Sequence, residues 1–588
     1  MPSTCCYGPI CFVPLDASAP RIFGFSEFLA ALALMVLVWM IADSRYIFRI
    51  RTAPLPLQGV TFAVIATVGV LTLLTDLWRA EEWLVPRGTI LTPASWQASL
   101  GGAFLLTFLG WVWFAFIRPP VYGRMTAKRY ALVLYRVILK GSSDELAIIA
   151  DEVARSAKSL IRYATDRGEL KYFRRPGDTD NGARKIPPKV TLYADDILLL
   201  IADKRFCRAI VDSSPGTAWA VFHEIAEATK YGVQVDTFAR NIVNEALLNK
   251  DSFLFHETEG YESGLIGYFK PLSQAMFSNY RMVEAIGTLF EPDLEKKEKW
   301  DSTQWKAYCR VVLMTFRDYV EKDFVSHSYV LYRAKGDIEH AASGLYRLNG
   351  MARIPWDDDV QARLRVVVEF IKDAVEILDK SGVPDHSQLR VRKEHSRLGS
   401  FYDHIADMIY EVIFSASAVQ SPVDLCWWIQ HNSVWGELFN FNRLDGPAGA
   451  VVKFKVRRLI YDEVARMRSF PNFQGAKILG FCLNVMGLTL SDKDHDHDSK
   501  ALHRAILAWT TRNYAWLHSY NPRVAEGCLV DGLTYDADNR RLVKTYPVEG
   551  LRRAPRYDYL PLDAPSAEDA GHATAAQPAG GSPAHPDN

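Results

Sequence analysis

The chain has 588 residues, with 68 basic and 68 acidic side chains; a balance of this kind excludes a polyanion binder that works through a bulk basic excess. Hydrophobic residues make up 49% and aromatic residues 12%, which excludes a mainly disordered chain. Eight cysteines in such a length are not a disulfide scaffold.

Residues 1–22 read as a short extracytoplasmic N-terminus. They lack the basic opening of a signal peptide, and the apolar run that follows is long enough to stay in a bilayer. Cys5, Cys6 and Cys11 would face an oxidising compartment if that compartment is a bacterial periplasm. A disulfide and unpaired thiols both remain open there.

Residues 23–117 read as a three-helix transmembrane region with spans at 23–42, 58–78 and 98–117. Each has about the 20 residues needed to cross the hydrocarbon core. Only a helix satisfies its own backbone in lipid. Glu27 stands near the start of the first span and Asp76 near the end of the second, and the third has no charge. No span carries an ionisable group near its middle, which disfavours an ion-coupled transporter. Gly101, Gly102 and the small residues of the second span allow close helix approach, and so a homo-oligomer through the membrane helices. Trp39, Trp78, Trp83, Trp96, Trp111 and Trp113 suit the headgroup level.

The first loop carries Arg45, Arg49 and Arg51, and Arg118, Arg124, Lys128 and Arg129 follow the third span. The second loop balances Arg79 and Arg87 against Glu81 and Glu82. Basic residues favour the cytoplasmic side. The expectation is a multi-pass protein of the cell membrane, the inner membrane if bacterial, with its N-terminus outside and its C-terminus cytoplasmic.

Residues 118–165 form a juxtamembrane helical segment, and 166–189, polar and rich in Gly and Pro, a flexible loop. Residues 190–562 read as a helical cytoplasmic domain, with the division into one domain or two left open. Apolar residues at helical spacing predict helices at 144–165, 218–231, 235–248, 264–288, 304–333, 360–378, 401–419 and 451–468. Val190–Tyr193 suggests a short strand, and 533–535 with 542–546 a hairpin across Asp536–Asn539. Residues 563–588, rich in Ala, Pro, Gly and Ser, read as a disordered tail. The fold class expected is mainly α: three N-terminal transmembrane helices, then a large, predominantly helical cytoplasmic region with a small C-terminal β-hairpin.

Candidate chemistry is sparse. Asp494, His495, Asp496 and His497 lie in an Asp/His run that can ligate a divalent metal. The run opens like a calcium loop, but His497 stands at the glycine position and His503 at that of the final glutamate; a solvated loop is the simpler reading. His223 and Glu227 share one helix face, as in the zinc-protease motif, except that Glu227 replaces the second histidine. His404 and Asp407 sit on the 401–419 helix, with His386 and His395 upstream as further metal-site candidates. A polar face and a hydrogen-bonded core histidine are the plainer readings of these pairs.

His256, Glu257, Glu259, Tyr261, Glu262 and Tyr268 cluster among aromatics and glycines, a pattern that suits a pocket or partner surface and equally a packed helix junction. Trp427, Trp428 and Trp435 read as core packing. Cys207, Cys309, Cys426 and Cys482 read as buried, reduced thiols. The short basic run from Lys453 to Arg458 reads as a solvated face, or as a contact to lipid heads. There is no phosphate-binding glycine loop and no Gly-x-Ser-x-Gly elbow, so no catalytic residue is identified. No cofactor is expected beyond a divalent metal.

The proportion of a small membrane part to a large helical part suits a membrane-anchored interaction, sensor or effector module. Its expected partners are the lipid bilayer, a second copy of the chain, and an unknown protein or small molecule; nucleic acid is not among them. A membrane-tethered metal-dependent hydrolase and an oligomeric pore gated by the cytoplasmic region are the alternatives.

Overall fold

The structure, a computed structural model, describes residues 5–7, 10–15, 21–41, 43–86, 92–167, 187–259, 270–322, 327–353, 355, 358–382, 399–440, 444–490, 499–546 and 554–564. The chain is mainly helical and divides into two compact units, Met1–Leu254 and Phe255–Asn588. The boundary falls inside the 190–562 stretch. Residues 168–186, most of the loop expected at 166–189, together with the Asp/His run, most of the 256–268 cluster and most of the C-terminal tail, lie outside the described residues.

The first unit opens with strands β1 (Cys5–Tyr7) and β2 (Ile10–Pro14). These form an antiparallel sheet with β3 (Leu84–Pro86), in the order β1-β2-β3. The sheet was not expected, because three-residue strands leave no readable alternation. Helix α1 (Phe25–Ile41) has 17 residues. A bend of 108° separates it from α2 (Ser44–Thr52), and the two approach span length only as a bent pair. Helix α3 (Leu57–Ala80) and α4 (Pro93–Val112), which continues as a π-helical stretch over Trp113–Ile117, are each long and apolar enough to cross a membrane.

Two contacts define how α1 lies against α3 and α4. At its start, the Phe25 amide donates to Asp76 Oδ2 at 2.9 Å, near the end of α3. Towards its end, the Trp39 ring is 6.4 Å from that of Trp111, near the end of α4. Phe28 of α1, Val68 of α3 and Leu100 of α4 form a small shared core. Outside it the apolar side chains are bare: Leu34 is 67%, Phe62 75% and Leu106 69% exposed.

The remaining helices of this unit are α5 (Ala127–Lys140), α6 (Ser143–Tyr163), α7 (Lys189–Leu200), α8 (Lys204–Ser213), α9 (Pro215–Ala228) and α10 (Asp236–Leu248). The strand expected at Val190–Tyr193 is instead the first turn of α7. Val190, Ala194, Ile197 and Leu198 are buried there at helical spacing. The preceding Pro188 starts the helix by restricting the backbone without needing a donor.

Helix α11 (Phe253–Glu259) carries the boundary between the units. The second unit continues with α12 (Pro271–Phe277), α13 (Tyr280–Ile286), α14 (Ser302–Lys322), α15 (Tyr329–Ala341), α16 (Asp359–Lys380) and α17 (Phe401–Ser417). The helix expected over 264–288 is broken, because Asn279 accepts the Met282 amide and caps α13. That expected over 304–333 is broken as well, with Ser328 capping α15 through the Leu331 amide. Then come α18 (Val423–Trp427), a π-helical stretch over Trp428–Asn440, α19 (Pro447–Arg466), α20 (Phe473–Met486) and α21 (Lys500–Tyr520).

The unit closes on β4 (Leu533–Asp536), β5 (Arg541–Tyr546) and β6 (Arg556–Pro561). The hairpin is present where it was expected. Strand β6 pairs along β5, from Arg541 with Pro561 to Tyr546 with Arg556, and makes it a three-stranded antiparallel sheet.

Candidate functional site

A densely bonded polar site of the first unit lies where α2 meets α5 and α6. Helix α2 is strongly amphipathic and presents Phe48, Arg49, Ile50 and Thr52 inward. Ile50 joins Ala53, Leu57, Trp111 and Ala115 in a core at the ends of α2, α3 and α4. Arg49 Nε and Nη2 donate to the two Glu152 carboxylate oxygens at 3.1 and 2.6 Å. Its third nitrogen donates to the Ala115 carbonyl at 2.8 Å. Each guanidinium nitrogen thereby has a partner, two of them in a forked geometry on one carboxylate, the form in which a buried arginine is best compensated.

A second tier surrounds this pair. Arg45 meets Asp151 at 3.0 Å. Ser214 donates to the other Asp151 oxygen, and Thr217 donates to the Ala150 carbonyl at 2.8 Å. Ser142 and Glu145 close a capping box on α6. Arg129 of α5 donates to the carbonyls of Ala53 and Pro54 at 2.9 and 2.7 Å, which terminates α2 just before α3 begins. Behind the ion pair, Tyr130 packs edge-on against Phe48 and Tyr122. Burial pushes the Tyr130 hydroxyl well above its ordinary range. The charges here are held by ion pairs, caps and backbone carbonyls, an arrangement that fixes position.

At the other end of α3 and α4, a cavity of about 390 Å³ is lined by Leu71, Leu74, Trp78, Val85 and Trp96, among others. The Trp78 indole donates to the Leu84 carbonyl, and that of Trp96 to Thr75 Oγ1. With those donors used internally, the space favours apolar contents.

Two of the candidate metal-ligand pairs fall among the described residues. His223 stacks on Trp219 at 4.9 Å, while Glu227 is exposed. His404 is buried among Tyr332, Phe401 and His327, and Asp407 is only partly covered. Among the described residues no group of three or more His, Cys, Asp or Glu side chains can hold a metal. Asp494, His495, Asp496 and His497, together with His386 and His395, lie outside the described residues.

In the 256–268 cluster, Glu257 is buried. It accepts from the Leu272 and Ser273 amides at 3.2 and 2.7 Å and from the Ser273 hydroxyl. It therefore caps the N-terminus of α12, which favours the helix-junction reading for this residue. His256 is partly covered. The Glu259 side chain and Tyr261, Glu262 and Tyr268 lie outside the described residues.

Trp435 is buried and stacks on Phe439, as core packing requires, whereas Trp428 is half exposed. Cys207, Cys309, Cys426 and Cys482 are buried free thiols, as is Cys528. Burial raises their thiol pKa values, that of Cys426 to about 12, which keeps them protonated and inert. Lys453 and Lys455, from the run read as a solvated face, are buried and paired with Asp445 and Asp403.

Sequence reasoning used Arg49 only as a marker of orientation and did not single out Glu152. The available signal was a carboxylate on the apolar face of α6, one residue before Val153 and three after Ile149.

Neither a family model nor a curated protein matches the chain. Among solved structures, a crystal structure of an engineered protein is similar at 15% identity, over 68% of this chain and 94% of that one. Its TM-score of 0.23 is too low to bear on fold or function.

Proposed function

We propose that the chain is an integral membrane protein in which three N-terminal spans anchor a helical cytoplasmic interaction, sensor or effector module. The observation that carries this reading is the forked Arg49–Glu152 pair. It ties the loop after α1 to α6, so that membrane segments and juxtamembrane helices move as one body. A flexible tether has no need of such a joint, whereas a module that reads or transmits the state of the membrane does.

Two features support counting α1 as the third span. Its two ends meet opposite ends of the α3–α4 pair, at Asp76 and at Trp111. At 1.5 Å per residue its length is about 25 Å, a few ångströms short of the hydrocarbon core, a mismatch that local thinning of a bilayer accommodates. The bare apolar surface of α1, α3 and α4 suits lipid rather than water. The antiparallel β2–β3 pairing keeps the N-terminal segment beside the second loop, as an outside N-terminus requires. The basic residues of the first loop and of the segment after residue 117 then lie on the cytoplasmic side.

Paired topology reporters test the reading. A cytoplasmic reporter fused after residue 562 should be active and an exported one silent; fused after Leu84 the pattern should invert. An active exported reporter after residue 562 would sink the orientation. Release of the full chain by alkaline carbonate would sink the membrane anchor itself.

A further inference from the structure

Helix α5 has two faces, and among the described residues only one is buried. Tyr130, Ala131, Leu134 and Ile138 are buried, and the helix packs along α7 on that side. The opposite face is exposed and mixes two chemistries. Met125, just before the helix, Leu132, Tyr135 and Leu139 are exposed apolar side chains, Met125 by 77%. Lys128, Arg136 and Lys140 are exposed between them. From Arg118 to Ser143 the chain carries no acidic residue. An apolar stripe interleaved with cations, with no carboxylate on its own segment, is the composition of a helix that lies at a lipid surface. The adjoining face of α7 adds exposed Leu192 and Leu199 and one exposed acid, Asp196.

Position supplies the second argument. The last membrane helix ends at Ile117, and α5 begins at Ala127. In its first turn Arg129 holds the carbonyls of Ala53 and Pro54, next to Leu57, where α3 starts. The start of α5 is thus tied to the level at which two apolar helices begin and end.

We propose that the exposed face of α5 is a binding surface for anionic phospholipid headgroups of the cytoplasmic leaflet. Leu132, Tyr135 and Leu139 enter the headgroup–acyl boundary while Lys128, Arg136 and Lys140 pair with phosphate. The proposal rests on the membrane reading above and adds the partner and the residues that meet it. Each cation near an anionic leaflet strengthens the attachment, and salt weakens it.

The test uses the full chain with Cys5, Cys6 and Cys11 replaced by serine, Cys207, Cys309, Cys426, Cys482 and Cys528 being buried. Spin labels are placed singly at Leu132→Cys, Leu139→Cys, Leu106→Cys and Glu227→Cys. The protein is set in lipid nanodiscs of phosphatidylcholine alone or with phosphatidylglycerol. In anionic discs, Leu132→Cys and Leu139→Cys should gain oxygen collisions and lose collisions with a water-soluble nickel chelate, relative to Glu227→Cys. Combining Lys128→Gln, Arg136→Gln and Lys140→Gln should restore the nickel collisions.

Labels at 132 and 139 as nickel-accessible as that at 227, with Leu106→Cys still in lipid, would overturn the α5 surface and leave the anchor standing. A nickel-accessible label at 106 would overturn both. Shelter at 132 and 139 that is unchanged by lipid charge and by the glutamine variants would overturn the assignment to anionic lipid.

Discussion

Arg49 and Glu152 stand 103 residues apart in the chain and share two hydrogen bonds, with side chains only 9% and 4% exposed. Removing charge from water on this scale is costly. It is offset only because both carboxylate oxygens and all three guanidinium nitrogens are engaged. The pair therefore penalises any arrangement in which α2 leaves α6.

Removing one partner should be worse than removing both. Glu152→Met strands the buried Arg49 charge and should cost about 3–5 kcal/mol; Arg49→Met leaves Glu152 beside Arg45 and Arg155, each at 3.9 Å, and should cost less. The double variant Arg49→Met/Glu152→Met should recover most of the Glu152→Met loss, leaving the Ala115 carbonyl as the main unmet group. Thermal unfolding of the detergent-solubilised chain measures the cycle. Additive losses in the double variant would rule out a coupled pair.

The close approach of α1 to α3 depends on Gly69. A Cβ there would lie 2.8 Å from the Phe28 ring, whereas one at Gly59 meets nothing within 4 Å. Gly69→Leu should separate the helices and lower the unfolding midpoint by several degrees, at about 1–3 kcal/mol for an overpacked contact. Gly59→Leu should leave the midpoint unchanged. Equal midpoints for both variants would contradict the contact.

Lys544 is buried beneath Trp427 and Tyr546, each ring 5.0 Å from its ammonium, and donates to the Asn484 carbonyl. Burial lowers its pKa from 10.5 to about 8, against the raising effect of Asp558. The unfolded chain binds this proton more tightly than the folded one. The penalty is therefore full below pH 8 and is relieved as pH rises from about 8 towards 10.5. This contribution to stability should climb by about 3 kcal/mol across that window, at about 1.36 kcal/mol per unit. Chemical denaturation at pH 7.5 and 9.5 should show the rise, and Lys544→Met should flatten it. A slope identical in the variant would assign the effect to another group.

Much of the helix content was legible because burial on one face imposes a 3.6-residue rhythm. The 360–378 pattern matches α16 (Asp359–Lys380), whose Asp358 caps it through the Gln361 amide. Breaks were harder to read. Asn279 and Ser328 look unremarkable in sequence and become caps only when the chain turns there. Strand β6 escaped notice because its partner β5 supplies what defines it, the ladder of hydrogen bonds.

The sequence by itself determined the apolar helices, the asymmetry of charge around them and the mainly α class, since these follow from composition and local period. Tertiary structure alone decided which charges are buried. Arg45, Arg49 and Arg51 are equivalent in a count of basic residues, yet Arg49 lies inside against Glu152 while Arg51 is exposed. Lys453 and Lys455, on what reads as a solvated face, are interior and paired. The physical reason is that desolvation and pairing depend on distance in space. Residues such as 49 and 152 acquire that distance only after α2 has turned back onto α6.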